Sequence, residues 1–263
     1  MTLRRRHLGS TTVAQVLTAA ALVPSPPLLV PELAGAAATE TDRFRQAALE
    51  VSARLGGACD EWTVIGVAEP GSPGGWLPAA SSGTFAGFGV DVRVRLDPGL
   101  SGDDDAEADR SMPLAALIAG WLRGAGAPAA RARVLLLTAD TPPADCARIG
   151  AELRAELDSR ALPQGLLVVA DGANTLTDKA PGAFDSRSGA VQSAVDEALE
   201  AGDCAAIEAL DADLCAELGL SGRAAWQTLS AAFGGGCGGP RKSETLYTGA
   251  PFGVGYHVGM WMA

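Results

Sequence analysis

Apolar and polar positions along this chain alternate between short continuous runs and runs with a helical period. Val16–Val23 is an apolar run of strand length, stopped by Pro24-Ser25-Pro26-Pro27, and a shorter run, Leu28–Val30, precedes Pro31. Proline lacks the backbone donor and disfavours helix in the residue before it, so this segment is expected to leave its strand as a rigid, extended loop. Over Ala36–Leu55, Phe44, Ala47, Ala48, Val51 and Leu55 share one helical face, with Thr39 or Thr41 as cap and Gly56-Gly57 as the stop. Trp62–Val67 is nearly continuous, as in a strand buried on both faces. Glu69–Gly89 is rich in Gly, Pro and Ser with Trp76, Phe85 and Phe88 embedded, a long loop suited to function or to covering the surface.

The pattern then repeats. Val90–Leu96 reads as a strand, Gly102–Asp109 as an acidic turn, Leu114–Leu122 as a helix and Ala132–Leu137 as a buried strand. Pro142–Leu157 reads as a helix with Ile149, Leu153 and Leu157 inward, and Gly165–Ala170 as a buried strand ending directly at Asp171. Ser188–Phe233 is mostly helical, and the Gly234–Gly239 cluster is a connector without the Lys-Ser/Thr of a phosphate loop. Glu244–Tyr247 and Gly253–Trp261 read as closing strands. Strands alternating with helices predict an α/β fold, a three-layer single domain with a central mostly parallel or mixed sheet flanked by helices. It spans 13–263 after a loose basic extension, 1–12; no internal repeat or linker divides it.

Composition narrows the partners. Of 263 residues, 48% are hydrophobic and 19% charged, and the net charge is −11, which argues against a nucleic-acid partner that would need a basic face. Arg4-Arg5-Arg6 before Val13–Val23 has the outline of an export signal. Gln15 and Thr18 interrupt its apolar part, however, and the run falls short of the roughly 20 residues a membrane span needs. The five cysteines, Cys59, Cys146, Cys204, Cys215 and Cys237, are odd in number and lack a C-x-x-C pair. Buried, reduced thiols in a cytoplasmic protein are expected.

Several phrases occur together in a telling order: Pro24-Ser25-Pro26-Pro27-Leu28-Leu29-Val30-Pro31-Glu32 after the first strand, Ala170-Asp171-Gly172-Ala173-Asn174 with Asp178-Lys179-Ala180-Pro181-Gly182, Gly222–Gln227, and Ala250–Tyr256. Across about 16–262 the chain resembles the subunit-B-like proteins of class III extradiol ring-cleavage dioxygenases, in their alanine-rich actinobacterial branch. The resemblance implies Fe(II) held by two histidines and a carboxylate, with positions open for catechol and oxygen. Its first histidine would stand just before the Pro-Pro pair, where this chain has Ser25, a poor iron ligand at neutral pH. Its second would follow the Trp62–Val67 strand, where Ala68, Glu69 and Pro70 stand instead. The chain has two histidines in all: His7 in the basic extension and His257 in the last strand, read as a hydrogen-bonded structural residue. A two-histidine triad would need the extension. Ring cleavage by the family's mechanism is therefore not expected.

Other polar residues could serve the same crevice. Asp171 ends a buried strand, with Asn174 and Lys179 in the loop that follows, a set able to orient a small polar ligand. Glu69 and Asp140 also follow predicted strands and, as carboxylates, suit Mg or Mn ions. The pocket candidates are thus Ser25, Glu69, Asp140, Asp171, Asn174 and Lys179, with no catalytic or metal residue assigned. The leading expectation is a non-catalytic or small-molecule-binding relative, taking a small polar or aromatic molecule and no cofactor, or Fe(II) if the family activity persists. An active metal-dependent dioxygenase with an altered carboxylate-rich site is the first alternative. A homo-oligomeric scaffold, as a homodimer, is the second.

Overall fold

Seven-residue apolar runs cannot sit on a surface, and here they build the middle of a sheet covered on both sides. The structure, a computed structural model, describes residues 16–35, 38–78, 80–99, 108–234 and 238–263. The strands are β1 (Leu17–Val23), β2 (Glu61–Val67), β3 (Gly75–Trp76), β4 (Ser82–Thr84), β5 (Arg93–Arg95), β6 (Arg131–Leu137), β7 (Gln164–Val169), β8 (Lys242–Gly249) and β9 (Tyr256–Met262). The helices are α1 (Pro31–Ala34), α2 (Ala38–Ala58), α3 (Leu114–Gly126), α4 (Pro143–Asp158), α5 (Ser188–Ala201), α6 (Cys204–Glu208), α7 (Ala212–Glu217) and α8 (Arg223–Gly234).

The main sheet runs β3-β6-β2-β7-β1-β9-β8. Its four central strands are parallel, while β3 and the β9-β8 pair add antiparallel edges. This is the expected α/β architecture, with a mixed sheet. Strand residues of alternate parity feed two cores. One packs Val64, Val134, Leu167, Val169 and Tyr256 against α2 and α3; the other packs Ile65, Leu166, Val168 and Trp261 against α4, α5 and α8.

After β1 the chain turns to α2 on the first layer, and after β7 it turns to α5 on the second. β1 and β7 are parallel neighbours, paired from Leu17↔Gln164 to Val23↔Val169. Connections that leave adjacent strands toward opposite layers open a crevice at the strands' carboxyl ends.

Several expectations need correction. The proline segment is not extended: Pro27–Leu29 forms a 3-10 turn and Pro31–Ala34 a short helix, each with proline at a first helical position, where its missing N–H costs nothing. Gly56-Gly57 does not stop α2, which runs on to Ala58. A Cβ on Gly56 would stand 2.3 Å from the Cβ of Ala127, so that glycine allows the end of α3 to pack close. Neither Thr39 nor Thr41 caps α2; both lie within it, and the buried Thr41 hydroxyl accepts from Arg45. Val90–Leu96 supplies only the three-residue β5, which pairs with β4 outside the main sheet. Ser188–Phe233 is four helices, and the Glu69–Gly89 loop holds β3, β4 and a 3-10 turn at Phe85–Phe88. The basic extension 1–12, most of the acidic turn and Cys237 lie outside the described residues.

Candidate functional site

Two of the six sequence candidates meet. The Ser25 amide donates to Asp171 Oδ1 at 2.7 Å, and the Ser25 hydroxyl donates to Oδ2 at 2.5 Å. The pair closes the end of the β1–β7 crevice, each residue following its own strand. Burial dominates at Asp171 and pushes its carboxyl above the usual range, while the two Ser25 bonds pull it part of the way back. Both are half-buried as whole residues. Tyr256 opens β9 beside this pair; burial raises its phenol, with the Asp171 charge adding to the effect.

The loop carrying Ser25 is pinned from behind. Arg45, buried on α2, donates Nε to the Leu29 carbonyl at 2.7 Å and Nη2 to that of Leu28 at 3.0 Å, and it also reaches Asp42. Prolines remove donors from this loop, so its carbonyls must find partners elsewhere, and a guanidinium with five donors supplies them.

The loop carrying Asp171 is fixed by tighter packing. The Gly172 amide donates to the Gly255 carbonyl (2.7 Å), the Gly255 amide to Ala173 (2.9 Å), and the Gly222 amide to the Asp171 carbonyl (2.8 Å). Gln192 of α5 accepts from the Ala173 amide at 2.9 Å, and its own amide nitrogen donates to Asp196 at 3.0 Å. Its side chain lies so close to Gly172 and Gly255 that a Cβ there would come within 2.1 and 2.2 Å of Oε1. A side chain at either position would have to displace the Gln192 amide.

The other candidates go elsewhere. Glu69 accepts from the Leu114 amide at 2.5 Å and so caps α3, whose preceding Pro113 has no capping side chain. Asn174 wedges its side-chain carbonyl against Gly182 and Gly219, bracing the loop. Asp140 is exposed in the Thr138–Thr141 turn, which Arg223 holds through the carbonyls of Ala139 and Thr141 at 2.8 and 2.7 Å. Lys179 is exposed. His257 is buried on β9 with Nδ1 3.6 Å from Asp196, and that nitrogen makes no hydrogen bond, contrary to expectation. Among the described residues, no three His, Cys, Asp or Glu side chains stand close enough to hold a metal ion.

Gln192 and Arg45 were missed by sequence reasoning. Gln192 did leave a signal: it falls on the face of α5 that buries Ser188, Val195 and Leu199, and a polar residue on an apolar helical face must have a partner. Arg45 left a weaker one, beside the buried Phe44.

No protein-family model and no curated protein matches the sequence. Among solved structures, the chain is similar to the uncharacterized protein JW3007 from Escherichia coli K12, at 10% identity and a TM-score of 0.45, with 94% of this chain and 100% of that one covered. No helix among the described residues is long and apolar enough to cross a membrane.

Proposed function

We propose that this chain is a non-catalytic, small-molecule-binding relative of the extradiol dioxygenase subunit-B group it resembles, acting in the cytoplasm. The observation that supports this reading is the Ser25–Asp171 pair. Where the resemblance would put the first iron histidine, a serine spends its hydroxyl proton on a carboxylate that ends the neighbouring strand.

These residues do not fit the Fe(II) that the resemblance implies. Ser25 offers no imidazole, Glu69 is engaged by the α3 amide, and His257 sits beside Asp196, which belongs to the second layer. They do fit a neutral or weakly polar ligand. With its proton donated to Asp171, the Ser25 oxygen keeps a lone pair to accept from a ligand hydroxyl or amide. Asp171, held short of full solvation, is a strong acceptor when ionised and a donor when protonated. A small polar or aromatic molecule is the matching class.

The test is an anaerobic Fe(II) titration of protein purified without chelator, followed by calorimetry with catechol as probe. The reading expects catechol to bind wild-type protein, to bind Asp171→Asn markedly less, and to be left uncleaved in air. Stoichiometric Fe(II) binding that Asp171→Ala abolishes, together with oxygen uptake, would overturn it in favour of an active dioxygenase with an altered site.

A further inference from the structure

The amino ends of the parallel strands, opposite the Ser25–Asp171 pair, carry a separate cavity of about 640 Å³. That volume falls within the range of roughly 300–1,000 Å³ common to small-molecule sites. The register sets its walls: Glu61 and Arg131 are partners across β2 and β6, and Leu162 and Pro163 lead into β7, whose Gln164 pairs with Glu61. The Arg131 amide donates to the Asp60 carbonyl at 2.7 Å, which ties the two rims together.

Charges of both signs face this cavity. Arg131 lies 3.5 Å from Asp97 and 3.9 Å from Glu61, too far for a good hydrogen bond to either. Among the described residues its guanidinium donates no side-chain hydrogen bond, so its planar fork remains available to a carboxylate. Asp60 is exposed on the same rim and accepts no side-chain hydrogen bond among those residues. Between the charges, Ala129, Leu162 and Pro163 supply an apolar wall, and Leu162 is 59% exposed, one of the few large apolar side chains left open.

We propose that this cavity is a binding site for a small zwitterion with an apolar side chain, of the class of a free aliphatic α-amino acid. The ligand carboxylate takes the Arg131 fork, its ammonium lies between Asp60 and Glu61, and its side chain covers Leu162 and Pro163. A simple anion would meet the repulsion of Asp60, Glu61 and Asp97. A simple amine would leave the guanidinium unused. Only a molecule carrying both groups matches the whole rim.

Calorimetry with three probes tests this: L-leucine, 3-methylbutylamine (leucine without its carboxylate) and 4-methylpentanoate (leucine without its ammonium). Leucine should bind at least about tenfold more tightly than either truncated probe, as expected for one lost charge-assisted contact. Arg131→Gln should weaken leucine by about tenfold and not weaken 3-methylbutylamine, which loses a repelling cation; Asp60→Asn should weaken leucine similarly and not weaken 4-methylpentanoate, which loses a repelling anion. Both side chains are exposed, so the variants should fold, which circular dichroism checks. No leucine heat from folded wild-type protein at millimolar concentration would overturn the proposal. So would leucine binding that survives both substitutions, or binding that Asp171→Asn removes, since that would locate the ligand at the opposite edge.

Discussion

Ser25 and Asp171, 146 residues apart, share two hydrogen bonds, with the amide and hydroxyl of one engaging the two carboxylate oxygens of the other. The contact joins the loops after β1 and β7 where they part toward opposite layers.

Removing the hydroxyl should therefore be felt in stability. Ser25→Ala leaves one Asp171 oxygen without its donor and is expected to cost about 1–2 kcal/mol, read by urea denaturation at neutral pH. Ser25→Thr, which retains the hydroxyl, should recover most of it.

Asp171 also sets a pH dependence. Its folded carboxyl titrates above the unfolded value, so the folded state holds the proton more tightly. Stability from this group is full below the unfolded range near ~4 and is lost as pH rises through the raised folded value. Asp171→Asn lacks this titration. Wild-type stability should thus fall relative to Asp171→Asn over that interval and run parallel above it, in denaturation series from pH 3 upward.

Glu244 behaves in the opposite sense. Arg54 donates to both its oxygens, at 3.1 and 2.9 Å, and this pairing holds its carboxyl down to about 2. The pairing is intact above the ordinary glutamate range and is lost as pH falls through about 2. Carbon-detected NMR titration should find that low midpoint, and Arg54→Ala should return it toward about 4.3.

The glycines around Gln192 are a test of close packing. Gly255→Ala would drive a methyl into the Gln192 amide and should cost about 1–3 kcal/mol. Gln192→Ala makes room, so the double variant should lose less than the sum of the two. A coupling of about 0.5 kcal/mol or more in that cycle is the expected sign of direct contact.

Arg223 is almost fully buried, and it donates to the Ala139 and Thr141 carbonyls and to Gln227. Arg223→Ala should cost about 3 kcal/mol by leaving several acceptors unpaired. Arg223→Lys should recover only part, because one ammonium cannot reproduce the fork.

Much of the fold could be read from the chain. Val16–Val23, Trp62–Val67, Ala132–Leu137 and Gly165–Ala170 lie within a residue or two of real strands, because runs buried on both faces have no other stable place. The open pattern of Val90–Leu96 misled, since alternation alone does not say which sheet a strand joins, and two-residue β3 left no period to detect. At the site, the sequence identified Ser25 and Asp171 as residues following strands, but it could not pair them. The pairing exists because β7 inserts between β1 and β2, and that strand order is chosen by the packing of helices on two layers. The same three-dimensional choices assigned Glu69 to the α3 cap, wedged Asn174 between glycines, and gathered Asp60, Glu61 and Arg131 at the far edge. Local sequence determined which segments are strands and helices, since backbone hydrogen bonding and side-chain period act within a few residues. Tertiary structure decided which polar groups face one another, since partners such as Ser25 and Asp171, 146 residues apart, are brought together by strand order.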